Sequence, residues 1–157
     1  MDFHPAPDAD PLALIARHFA AMPPVAAMQL RVDGFDGDAL RLHAPLAAHV
    51  NDKGCAFGGS LASLMTLAAW GVLTLRLQAA GITADVFVAD TQVQYRAPLY
   101  ADLHAQARLA DGADWDGLLA RLRERGRAGI ALHANVWLPD GGIAAAAQLR
   151  YVAIANG

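Results

Sequence analysis

Cysteine is almost missing from this chain: Cys55 stands alone among 157 residues. One thiol can close no disulfide within the chain and build no cysteine-rich zinc site, and it fits a reducing, cytoplasmic setting. Charge is scarce as well. Asp, Glu, Lys and Arg make up 17% of the residues and apolar ones 55%, so a single subunit is short of polar groups to cover its surface. A homodimer, or dimers paired into a tetramer, is therefore expected. The formal net charge of −3 leaves no surplus of Lys and Arg to neutralise phosphates, which argues against nucleic acid as a partner. The six histidines show no HxxxH-type spacing, so no metal is expected. Met1-Asp2-Phe3-His4-Pro5 lacks the basic start and apolar run of a signal peptide. Residues 1–9 read as a flexible lead-in and 10–157 as one domain, long enough to bury a core without staples.

What is present is apolar periodicity. Asp10-Pro11 is a helix start, N-cap followed by a proline at the first helical position, and Leu12, Leu14, Ile15, His18 and Phe19 share a face up to about Ala21. Pro23-Pro24 should end it. Met28, Leu30 and Val32 alternate with polar residues, as do Leu40 and Leu42 beyond the turn Asp36-Gly37-Asp38, which predicts an antiparallel hairpin. From Gly58 to about Ala80 apolar residues lie nearly all round, the mark of a buried helix, with Gly81 able to cap it. Gly54 to Leu75 carries no charge, but Ser60, Ser63 and Thr66 recur every third residue and strands follow, so no membrane span is expected.

Four more segments complete the pattern. Phe87, Ala89, Thr91, Val93 and Tyr95 alternate with Val88, Asp90, Gln92 and Gln94 before Pro98, which sets Phe87 and Tyr95 on one face and Asp90 on the other. Leu103 to Leu109 is the next strand, and Trp115 to Arg125 a short helix ending at Gly126. Ile130 to Leu138 and Ile143 to Ile154 are the last strands, with Leu149 and Tyr151 inward. The whole is an α+β chain: a hairpin, a long buried helix, then antiparallel strands able to wrap around it.

The richest stretch is Asn51-Asp52-Lys53-Gly54-Cys55-Ala56-Phe57-Gly58-Gly59-Ser60-Leu61, a polar loop feeding that helix. A helix start aims unpaired N–H groups and a positive dipole end outward, which suits an oxyanion, and paired glycines allow close approach. The same glycines also serve simply to turn loop into helix. Asn51, Gly54, Phe57-Gly58-Gly59-Ser60-Leu61, Ala89-Asp90 and Tyr95-Arg96-Ala97-Pro98 together resemble the hotdog-fold thioesterase superfamily. The resemblance is greatest to the thioesterase domain that follows an acetyltransferase-like domain in some proteobacterial proteins, a group that includes malonyl-acyl carrier protein decarboxylases. It spans about residues 25 to 155. It implies a hotdog homodimer binding acyl groups carried on coenzyme A or acyl carrier protein, with no cofactor beyond the coenzyme A or phosphopantetheine of the substrate.

The same resemblance implies roles. Gly58 N–H and the Asn51 amide would hold the thioester carbonyl, with Phe57, Gly59, Ser60, Ser63, Tyr95 and Arg96 around the substrate. The carboxylate that hydrolytic relatives carry two turns into the helix is Thr66 here. Hydrolysis needs a base or a nucleophile, which leaves Asp90 as a candidate if it reaches the site and a solvated residue if it does not. Ser63 and Thr66 either orient ligand or bond their own helix. Decarboxylation of a malonyl thioester needs only oxyanion donors in a dry site. Decarboxylase, thioesterase and non-catalytic acyl or carrier-binding module all stay open. Gly58-Gly59-Ser60-Leu61-Ala62, with His49 and Asp52 nearby, comes close to a serine nucleophile elbow, but that motif demands a parallel sheet and a late histidine. Cys55 reads as a spectator thiol. Arg121, Arg123, Arg125 and Arg127 are either a solvated face or a dock for phosphates or an acidic carrier, through Arg121 and Arg125.

Overall fold

In the computed structural model, which describes residues 10–156, helix α1 runs over Pro11–Ala21. The expected lead-in over 1–9 lies outside the described residues. Asp10 caps α1, its carboxylate accepting from Leu12 N at 3.1 Å. Pro23-Pro24 ends α1 as expected but also opens a second helix, α2, Pro23–Ala26, since proline lacks only an N–H that a first turn leaves unpaired. Residues 27–29 then turn, with Gln29 at φ 55. Strand β1 therefore begins at Arg31 rather than Met28 and runs to Phe35. It pairs with β2, Leu40–Ala44, in the expected hairpin. Asp36 holds the turn, accepting from Asp38 N at 2.9 Å and Ala39 N at 2.8 Å.

A 3-10 turn at Leu46–Ala48 leads to the glycine-rich loop and helix α3, Gly58–Ala79. Strands β3, Ala84–Tyr95, and β4, Leu103–Leu109, follow. Helix α4, Trp115–Arg125, stops at Gly126 in the left-handed region at φ 72, where a side chain would be strained. β5, Arg127–Trp137, and β6, Ile143–Ala155, complete a six-stranded antiparallel sheet in the order β1-β2-β4-β5-β6-β3. The sheet's inner face is Leu40, Leu42, Leu103, Leu132, Val136 and a run of small residues, Ala105, Ala107, Ala134, Ala145 and Ala147, all buried. Small side chains on the sheet let α3 lie close, and its Leu64, Met65, Ala68, Ala69, Val72 and Leu73 are wholly buried. α3 is long and apolar enough to cross a membrane by length and composition alone, and here it is the core helix of the sheet. This is the expected sheet around one helix.

Tyr151 fastens the two layers. It is 1% exposed, and its hydroxyl donates to Thr66 O at 2.6 Å. Burial pushes its phenol pKa upward, which keeps the hydroxyl protonated and able to donate at neutral pH. Tyr151→Phe keeps the ring and removes the bond. A loss of ~1 kcal/mol is expected in urea unfolding, and an unchanged midpoint would show that the bond adds nothing.

One alternation is corrected. The register of β3 on β6 passes from Val88↔Tyr151 to Asp90↔Arg150, so Ala89 is an extra residue in a bulge. Side chains change face across it. Val86 and Val88 oppose the inward Ala153 and Tyr151, whereas Thr91, Val93 and Tyr95 oppose the inward Leu149, Ala147 and Ala145. Phe87 thus lies on the face opposite Tyr95, not beside it.

Candidate active site at the start of the central helix

Phe57 is the N-cap residue of α3 and offers no side-chain cap. Its carbonyl accepts from both Ser60 N at 3.0 Å and Leu61 N at 3.1 Å. Among the described residues the N–H groups of Gly58 and Gly59 have no acceptor, so two donors at the positive end of a 22-residue helix are free for a ligand. Two aromatic rings frame them. Tyr95 lies 3.4 Å from where a Cβ on Gly58 would stand and donates its hydroxyl to Gly58 O at 3.2 Å. Phe57 folds over Gly59, where an added Cβ would come within 2.5 Å of the ring. Both rings are 57% exposed, so they form a rim, and the glycines are what make room for it.

The loop behind the rim is tied to itself. Asn51 Oδ1 accepts from Lys53 N at 2.8 Å and Cys55 N at 3.2 Å, while its Nδ2 donates to Cys55 Sγ at 3.3 Å. Asn51 N bonds Cys55 O at 2.8 Å, and Gly54 sits at φ 83 to allow the closure. Phe57 N donates to His49 O at 2.7 Å and Ala56 N to Leu99 O at 2.8 Å, which anchors the loop on both sides. Asn51 is therefore first a clamp on its own loop, with one amide N–H still uncommitted. Cys55 is buried inside it, consistent with a spectator thiol.

His49, set aside with the nucleophile elbow, is the one buried polar side chain at the site among the described residues. It is 4% exposed, with Nε2 2.8 Å from Met28 O and Nδ1 2.8 Å from Ser60 Oγ. Asp52, its supposed triad partner, is exposed and paired with Lys53 at 3.0 Å. The sequence brings His49 and Ser60 together but cannot show the third member, a backbone carbonyl that any residue at position 28 would supply.

The other expected residues divide. Ser63 is exposed on the outward side of α3, one turn beyond Gly59. Thr66 is half-buried and donates its hydroxyl to Ala62 O at 2.8 Å, the helix-bonding alternative. Arg96 is exposed beside Tyr95 and contacts Gln94 Oε1 at 3.4 Å. The structure does not bring Asp90 to the helix start. The bulge leaves it on the outer face, bonded to Arg150 at 2.9 Å. Arg121 donates to Gly129 O at 3.1 Å, and Arg125 is exposed. Their helix sits at the far end of α3, where Arg76 lies 4.9 Å over the Trp115 ring. At 1.5 Å per residue that is ~30 Å from Gly58.

A groove of about 560 Å³ lies on the outer face between Asp90, Gln92, Arg108, His133, Gln148 and Arg150. Its charges are already paired, Arg150 with Asp90 at 2.9 Å and Arg108 with Asp111 at 3.6 Å. It lies across the sheet from α3, and the chemistry is better placed at the helix start. Among the described residues no group of three or more His, Cys, Asp or Glu side chains is arranged to hold a metal ion.

Known proteins share this fold. A protein of unknown function from Chlorobaculum tepidum TLS is 27% identical over 92% of this chain and 94% of its own, with a TM-score of 0.86. A structure titled as a putative thioesterase from Shewanella oneidensis is also 27% identical, over 92% and 97%, with a TM-score of 0.81. A thioesterase from Haemophilus influenzae shares the fold at 13% identity, over 89% and 88%, with a TM-score of 0.71. The family model described as "Putative thioesterase (yiiD_Cterm)" matches residues 13–155. A sheet around one helix, with the helix start laid open by two glycines, is thus the hotdog of the thioesterase superfamily, and the chain belongs to the yiiD_Cterm family within it.

Proposed function

We propose that this hotdog acyl-thioester enzyme decarboxylates malonyl thioesters of coenzyme A or acyl carrier protein to acetyl thioesters. The observation that carries the reading is the free Gly58 and Gly59 N–H pair with no carboxylate beside it. In the reaction the thioester carbonyl accepts from these donors and from the Asn51 amide. The bond to the carboxylate carbon breaks, CO2 leaves, and the electron pair it gives up passes to an enolate oxygen that the donors stabilise. Hydrolysis by the carboxylate route that the resemblance implies for hydrolytic relatives would need a base for water or a carboxylate nucleophile. Thr66 has neither capacity, and Asp90 is turned away. Incubation with malonyl and simple acyl thioesters separates the alternatives. CO2 and acetyl thioester support decarboxylation, brisk release of free thiol without CO2 makes the enzyme a thioesterase, and neither product makes it a binding module.

The edge strand β3 supports a homodimer. Phe87, Val88 and Tyr95 are exposed along it, and its outer N–H and C=O groups form an unpaired row. A monomer in light scattering at micromolar concentration would sink this. Carrier recognition is assigned to α4, where Arg123 and Arg125 are exposed. The double substitution Arg123→Glu, Arg125→Glu should raise KM for a carrier-bound substrate and flatten its salt dependence. An unchanged KM returns the cluster to a solvated face.

A further inference from the structure

His49 is a buried ionisable group that decarboxylation leaves unused. Its proton can be located. Met28 O is only an acceptor, so Nε2 carries the hydrogen and donates to it at 2.8 Å. In the imidazole tautomer that this bond selects, with the hydrogen on Nε2, the other nitrogen Nδ1 holds a lone pair. The contact of 2.8 Å between Nδ1 and Ser60 Oγ is then a bond in which the serine donates. A serine whose hydrogen faces an imidazole turns its lone pairs the other way. That is the ground state of an activated nucleophile, not of an acid ready to protonate an enolate. The Met28 carbonyl fixes the tautomer, the task an aspartate performs in a catalytic triad. Ser60 is half-buried, and the free N–H groups belong to the two residues just before it.

We propose that Ser60 is an acyl-accepting nucleophile with His49 as its base, giving the chain a second, covalent activity on simple acyl thioesters that have no carboxylate to lose. His49 Nδ1 takes the Ser60 proton as the Oγ–C bond forms and the carbonyl pair moves to an oxyanion held by Gly58 and Gly59 N–H. Collapse of that adduct breaks the C–S bond. The thiolate leaves with the bonding pair and takes the proton from Nδ1. Water then attacks the serine ester, one of its protons passing through Nδ1 to Ser60 Oγ, and the free acid departs. One water is consumed, and acid and thiol are the products. The inference rests on the acyl-thioester class alone and not on decarboxylation.

The test is an alkyl fluorophosphonate, whose serine ester does not hydrolyse, followed by intact-mass and peptide mapping. One adduct on the peptide bearing Ser60 is expected, absent in Ser60→Ala and formed about 100-fold more slowly in His49→Gln. His49→Gln disturbs a buried site, so Ser60→Ala with its circular dichroism spectrum is the deciding variant. An acid-quenched reaction with an acetyl thioester should also show acetyl on Ser60. A folded wild type that takes no label, or a label on Cys55 or elsewhere that survives Ser60→Ala, overturns the proposal. CO2 release from a malonyl thioester is measured in parallel. CO2 without label overturns the acyl-serine alone, and label without CO2 overturns decarboxylation alone.

Discussion

Asn51→Ala should lower CO2 release from a malonyl thioester ~100-fold or more, the scale of a lost oxyanion donor. Two physical causes would give this loss, and a second substitution parts them. The Asn51 carbonyl oxygen clamps Lys53 N and Cys55 N, whereas its amide nitrogen touches only Cys55 Sγ within the loop. Asn51→Asp keeps both acceptor contacts and the shape of the loop but has no N–H to offer, and it adds a negative charge where one is developing. If the amide donates to the reacting oxygen, Asn51→Asp should be at least as inactive as Asn51→Ala, with an unchanged unfolding midpoint. If Asn51→Asp turns over like the wild type, Asn51 is a clamp only and the two glycine N–H groups hold the oxyanion without it.

Thr66→Asp should suppress decarboxylation by a comparable factor. The threonine lies two turns into α3 and spends its hydroxyl on Ala62 O, so it brings no charge. Aspartate there would stand near the malonyl carboxylate in a site sheltered from water, where like charges repel strongly and one must be protonated. The same change gives the site the carboxylate that hydrolytic relatives are expected to use, so with the acyl-serine route closed by Ser60→Ala, slow release of free thiol from simple acyl thioesters should appear as CO2 release falls. Undiminished CO2 release from a folded Thr66→Asp protein would place the malonyl carboxylate elsewhere.

Most of the fold was legible because its signals are local. Asp10-Pro11 and Gly126 mark helix ends whatever surrounds them, and the all-round apolar run from Gly58 can only be a covered helix. What stayed hidden depends on partners distant in the chain. The bulge at Ala89 is a property of the register between β3 and β6, and nothing in the alternation from Phe87 to Tyr95 announces it. At the site, the glycines and their two rings could be reached from the loop motif. His49 and Ser60 were read together only as part of an elbow with Asp52, the wrong third member, because the true one, Met28 O, has no side chain to read. Pro23-Pro24 ended the first helix as its sequence says, and what stayed unread was that a proline pair can also start another by the same missing N–H.

Ala89 behaves like a frameshift written into a strand. Upstream of it the chain is read in one phase, with Val86 packed on the core and the exposed Val88 on the same face, and downstream in the other, with Tyr95 delivered to Gly58. Ala89 is the surplus residue, so deleting it would bring Val88↔Tyr151 and Asp90↔Arg150 together as consecutive pairs of an unbroken ladder, and both phases would survive. What β3 would lose is the bend and added twist that the extra residue gives it, with Val86 still under the sheet and Tyr95 still on Gly58.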